Sequence, residues 1–106
     1  MGKPISPGAI IGQVRLLQSS EDAALLQPGE VIVASELSPA WTPLLGLAGG
    51  LIMSQGDHLS RGAITARNYN IPCVSEITAA PVALHTGQVI RLDGTAGTVE
   101  IIKRRS

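Results

Sequence analysis

Between Gly49 and Val74 the chain reads as strand, loop, helix, strand, and no other stretch constrains the fold as much. Leu51 to Ser54 (LIMS) is a short apolar strand that follows a Gly-Gly pair. Gln55 to Leu59 is a loop. Ser60 is placed to cap a helix from Arg61 to Tyr69, with Asn70 near its end. Ile71 to Val74 (IPCV) is the next strand. This order is a βαβ-like unit, and its loop lies on the C-terminal edge of the sheet, where ligand sites collect.

The flanks are rich in strands. Ala9 to Leu17 reads as a strand, with Ile11, Val14 and Leu16 apolar and Gly12 a candidate bulge. Ser19-Ser20 followed by Glu21-Asp22 predicts a short helix through Leu26, because acids favour the first turn. Gln27-Pro28-Gly29 is a turn. Glu30 to Ala34 (EVIVA) predicts a strand buried on both faces. Thr42-Pro43 predicts a cap and first residue for a helix from Leu44 to Ala48, ended by Gly49-Gly50. Thr78 to Leu84 is weakly helical around Pro81. Val89 to Leu92 and Thr98 to Ile102 are strands joined through Asp93-Gly94-Thr95, where Asp93-Gly94 is expected to be a hairpin turn and nothing more. The sum is a layered α/β domain with a mixed sheet and short helices.

Composition narrows the function. With 106 residues, one domain spanning 1–106 is expected. The formal net charge of zero argues against electrostatic capture of nucleic acid, and only Trp41 and Tyr69 are aromatic, which argues against base stacking. The single cysteine, Cys73, excludes an internal disulfide and fits a reducing, cytoplasmic setting. The longest apolar stretch, Pro43 to Met53, is interrupted by three glycines, so no membrane span is expected, and the N-terminus lacks a charged region followed by an apolar one, so no signal peptide is expected. Lys103-Arg104-Arg105 reads as a solvated terminus.

Leu59-Ser60-Arg61-Gly62-Ala63-Ile64-Thr65-Ala66-Arg67, followed by Ile71-Pro72-Cys73-Val74, resembles the signature of the phosphohistidine (mobile or swivelling) domain of PEP-utilising enzymes. Pro39-Ala40-Trp41-Thr42-Pro43-Leu44 is similar to a segment of the branch that contains phosphoenolpyruvate synthase and rifampin phosphotransferase. Ser6-Pro7-Gly8 and Asp93 to Gly97 are similar to the family's opening and closing segments, so the resemblance covers nearly the whole chain. It implies a swivelling β/β/α fold and a role in shuttling a phosphoryl group. It also implies a mobile domain that moves between a nucleotide-binding domain and a PEP or substrate domain. ATP, PEP and Mg would then be used by the parent enzyme, with no cofactor or metal bound by this domain. The chain has no Gly-rich phosphate loop with lysine and no room for a barrel of about 250 residues, so it is not expected to complete a kinase reaction alone.

At the position of the family's phosphoryl-acceptor histidine stands Arg61. A histidine in the first turn can attack through a neutral ring nitrogen, and the helix amino end favours the anion that forms. A guanidinium keeps its protons and has no lone pair to offer, so Arg61 can bind phosphate but not carry it. Three readings stay open. The domain is a natural non-phosphorylatable relative; or His58, up to about 10 Å upstream in extended chain, is a surrogate acceptor; or the arginine is an engineered variant of an active carrier. Asp57 stands where the family has glycine and could pair with Arg61. Ser60 and Gly62 are implied to meet phosphoryl oxygens, Gly62 by allowing close backbone approach. Arg67 matches the close of the motif and is implied to bind phosphate, or else it is a cation placed at the helix C-terminus.

Two functions follow: a phosphoryl-carrier domain of a phosphotransferase, not phosphorylatable at Arg61, or a non-enzymatic module that binds an anion or a protein partner. The remaining singled-out residues have plainer expectations: His85 in a solvated loop, Cys73 in the core, and Trp41 as a packing anchor.

Overall fold

Val31, Ile32 and Ala34 are all buried, which is how a strand covered on both faces reads in sequence. In the computed structural model, which describes residues 3–17, 20–34, 39–54, 61–75, 84 and 86–103, this strand lies at the centre of a seven-stranded sheet. The strands are β1 (Lys3–Ser6), β2 (Ala9–Leu16), β3 (Val31–Ala34), β4 (Gly50–Met53), β5 (Cys73–Ser75), β6 (Val89–Asp93) and β7 (Thr98–Lys103), in the order β1-β5-β4-β3-β2-β6-β7. Strands β2 to β5 run parallel, with Val31 opposite Gly50 and Leu51 opposite Cys73. The outer pairs β1–β5, β2–β6 and β6–β7 are antiparallel. The expected mixed sheet is present, and β4, helix α2 (Arg61–Asn68) and β5 form the expected βαβ unit.

Side chains alternate along each parallel strand, so the sheet has two dry faces. Ile32, Ala34, Leu51, Met53 and Cys73 point to the helices, packing with Leu45, Ala63 and Ala66. Val31, Ile52 and Val74 point the other way, against Ile90 and Leu92 of β6. Each fully buried valine, leucine, isoleucine or methionine among them contributes about 1.5–3 kcal/mol. The β6–β7 hairpin therefore covers one face and the helices the other, a β/β/α sandwich.

The curl passes through β2. Its first half, Ala9 to Gln13, pairs with β6; its second half, Val14 to Leu16, pairs with β3. Gly12 lies within the first half in unbroken register, opposite Ile90, and is not the bulge that its sequence suggests. The glycine serves close approach instead: a Cβ there would lie 2.8 Å from the carbonyl oxygen of Gly29.

The curl closes at the hairpin turn. Asp93 Oδ1 accepts from the amides of Thr95 and Ala96, an Asx turn, and Gly97 completes it at φ 76. The turn is thus longer than a two-residue Asp-Gly hairpin, and it does more than reverse the chain. The amide of Gly94 donates to Gly8 at 2.7 Å, and the amide of Gly8 donates to Thr95 Oγ1 at 3.0 Å. A Cβ on Gly94 would overlap the carbonyl oxygen of Ser6.

The helices differ in detail from expectation. Helix α1 is Ser20–Ala24, with the acids in its first turn and 3-10-type bonds closing at Leu25 and Leu26. Instead of an α-helix begun by Pro43, a 3-10 helix spans Pro39–Gly46 with Pro43 inside it. An α-helical interior needs the amide that proline lacks and meets its ring at the carbonyl four residues back. Pro43 donates no backbone bond in a 3-10 helix either; the tighter path moves the acceptor from four residues back to three. Strand β5 begins at Cys73, and Ile71 and Pro72 lie in the short connection between α2 and β5. Residues 78–83 of the weakly helical segment lie outside the described residues.

Candidate functional site

Helix α2 follows β4 across residues 55–60, which lie outside the described residues, as do the candidate site residues Ser60 and His58 and the loop residue Asp57. Its own sequence determines how it sits. Gly62, Ala63, Thr65 and Ala66 are buried, and this face of small side chains lets the helix lie close to the sheet beside Met53 and Cys73. The hydroxyl of Thr65 donates to the Arg61 carbonyl at 2.7 Å, tying the first turn to the second. Trp41 and Leu44 pack against the same core, so the expectation for Trp41 as an anchor holds.

The end of α2 is defined by sequence. Asn70 has φ 57; its amide donates to the Arg67 carbonyl at 3.2 Å and the Ile71 amide to Ala66 at 3.1 Å. These two bonds are the Schellman motif, with asparagine in the left-handed position that usually takes glycine. Pro72, which cannot continue a helix, comes next.

The motif residues fall at two ends of this helix. Arg61 is its first residue and is exposed, with Gly62 buried beside it. Arg67 is in the last turn, six residues on, or about 9 Å along the axis. Its Nε donates to the carbonyl of Ile5 on β1 at 3.2 Å. The Cys73 thiol is buried, as expected of a core residue, and burial pushes it up to about 12 although the nearby Arg67 charge pulls it down.

Amino-terminal amides of a helix have no intrahelical acceptor, and the dipole is positive there. With an exposed guanidinium at the same end, the arrangement suits a polyanionic group. Sequence reasoning missed one residue of this neighbourhood: Ile5, whose carbonyl holds Arg67. Its only local signal is a proline-containing four-residue segment, and its partner is far away in sequence.

Residues 26–97 match the family described as PEP-utilising enzyme, mobile domain. This chain belongs to that family. It is 39% identical over 95% of its length to the rifampicin phosphotransferase of Bacillus subtilis (strain 168), and 32% identical over 92% to the phosphoenolpyruvate synthase of Aeropyrum pernix. In both cases it spans 12% of the relative's length. Among solved structures it is similar to Enzyme I (nEIt), with a TM-score of 0.62 and 26% identity over 76% of this chain and 33% of that one. As a mobile domain of the PEP-utilising family it has the mixed α/β fold of Enzyme I, and no helix among its described residues is long and apolar enough to cross a membrane.

Proposed function

We propose that this mobile domain serves a PEP-utilising phosphotransferase as a module that receives a phosphate-bearing group non-covalently at the amino end of α2. By its resemblance to the family motif, Arg61 takes the position of the phosphoryl-accepting histidine. The observation that carries this reading is the place of Arg61: first residue of an eight-residue helix, exposed, on the crossover that leaves β4. A guanidinium there offers paired donors to phosphate oxygens and no lone pair for attack. The family resemblance adds Ser60 and the Gly62 backbone as further phosphate-binding groups. Nucleotide-binding and PEP or substrate domains of a parent enzyme or partner chains supply ATP, PEP and Mg.

A second reading, a regulatory module that docks on a protein partner, is favoured by Ile64. This residue is 46% exposed and one turn from Arg61, on the same side of the helix.

The deciding experiment combines the domain with a competent phosphoryl donor from the family and labelled PEP or ATP. The wild-type domain is expected to stay unlabelled and Arg61→His to gain an acid-labile label. Label on wild-type His58 would overturn the non-covalent reading. An unlabelled, folded Arg61→His variant that still binds the donor would favour the docking module.

A further inference from the structure

Strand β1 does not pair evenly with β5. Pro4 lies opposite Val74 and Ser6 opposite Cys73, so Ile5 is an extra residue in the ladder, a bulge on an edge strand. A bulge leaves a residue outside the regular pairing, and its polar groups need another partner. The Ile5 carbonyl finds it in Arg67 Nε at 3.2 Å, across 62 positions of sequence, in a half-buried setting. The same arginine lends its main-chain carbonyl to the Schellman cap through Asn70, and β5 starts three residues after Asn70. Side chain and backbone of one residue thus join the last turn of α2 to both members of the β1–β5 pair.

We propose that Arg67 is a positioning residue. Its Nε bond to the bulged carbonyl of Ile5 sets how far α2 advances along the sheet, and so where the amino end, with Arg61 and Gly62, is presented. The helix can transmit this setting because it is short, is braced internally by Thr65 on Arg61, and rests on a small-residue face with little side-chain bulk to key its position. A lysine would keep the charge that favours a helix C-terminus but has no donor halfway along its stem to meet a backbone carbonyl. The proposal deepens the anion-site reading given above and rests on it only for its effect on binding.

The experiment is nuclear magnetic resonance on the whole chain, with inorganic phosphate as the probe. In the wild type, the Arg67 Nε–H is expected to exchange slowly and to show a coupling across the hydrogen bond to the Ile5 carbonyl. Fast exchange without that coupling overturns the proposal without any variant. In Arg67→Lys and Arg67→Met, the Gly62 and Ala63 amide resonances are expected to move before phosphate is added. Phosphate affinity is then expected to fall roughly three- to tenfold in both, the effect of misplacing charge-assisted bonds. A lowered melting temperature with unmoved Gly62 and Ala63 resonances would mean that Arg67 is merely structural. Retained affinity in Arg67→Lys with loss in Arg67→Met would mean that it touches phosphate by charge; both outcomes sink the positioning role. If wild type fails to bind phosphate, the anion-site reading falls, while the free-state resonances still decide for or against the position of α2.

Discussion

Arg15 and Glu30 meet as a two-pronged pair, Nε to Oε1 at 3.0 Å and Nη2 to Oε2 at 2.9 Å, beside the start of β3. Glu30 is only 6% exposed, and its Oε1 also accepts the Gln27 amide at 2.7 Å. The hydrogen bonds to Glu30 are the main reason that the Arg15 guanidinium holds its proton even more firmly than usual. Removing one partner leaves a buried, uncompensated charge. Arg15→Met is expected to destabilise the fold by about 3 kcal/mol, at the low end for a broken buried pair. Urea unfolding at neutral pH measures it, and a loss under about 1 kcal/mol would show the pair to be as weak as a surface one.

Cys73 has a proton-linked signature. Its thiol is raised from the ordinary 9.0 to about 12, chiefly by burial. The fold therefore favours the protonated form. This stabilisation is complete below pH 9 and is lost as pH rises towards 12, because the unfolded chain releases a proton that the folded chain keeps. In that window the wild type should lose up to about 1.4 kcal/mol per pH unit relative to Cys73→Ala. Equal slopes for the two proteins would refute the linkage. A thiol reagent at pH 8 should label the wild type only as it unfolds.

Gly94 touches backbone, which cannot swing aside. A methyl group there collides with the Ser6 carbonyl and crowds Cys73 N at 3.0 Å and Pro72 Cα at 3.1 Å. Gly94→Ala should destabilise by roughly 1–3 kcal/mol, as overpacking does, and should speed hydrogen exchange at the amides of Gly8 and Gly94. Unchanged exchange with unchanged stability would mean that the hairpin turn does not seat on β1.

Asn70 offers a test with opposite signs. At φ 57, glycine is free of steric strain and a β-branched residue is not. Asn70→Gly should leave stability within a few tenths of a kcal/mol, whereas Asn70→Val should lower it by roughly 1–2 kcal/mol. Thermal unfolding of both variants decides, and equal effects would show that the left-handed cap is not kept in solution.

The contrast between α2 and β1 shows what was legible beforehand. Strand β4, helix α2 and the turn-off at Asn70-Ile71-Pro72 are written in consecutive residues, so apolar runs and helix-stop residues reveal them. Arg61 at the head of the helix was readable for the same reason. Lys3 to Ser6 carries no alternation and contains a proline, and its pairing with β5 depends on residues about seventy positions away. Thr42-Pro43 imitates a helix start, since a proline at a first turn and a proline within a 3-10 helix have the same local neighbours. Gly12 looks like a bulge because a strand glycine signals either a bulge or a close neighbour, and only the fold brings Gly29 to it. The partner of Arg67 was invisible for a similar reason: a bulged carbonyl has no mark in sequence.

Strand β2 has a consequence of its own. Its two halves bind different neighbours, one in each direction, and Ile10, Val14 and Leu16 all pack into the interior between the sheet and the β6–β7 hairpin, with Leu17, just past its end, in the helix-side core. Peeling the hairpin away would strip Ala9 to Gln13 of their partners and loosen the grip of Val14 to Leu16 on β3. The two layers are therefore thermodynamically welded along one eight-residue seam, and the chain is built to melt as a unit, not layer by layer.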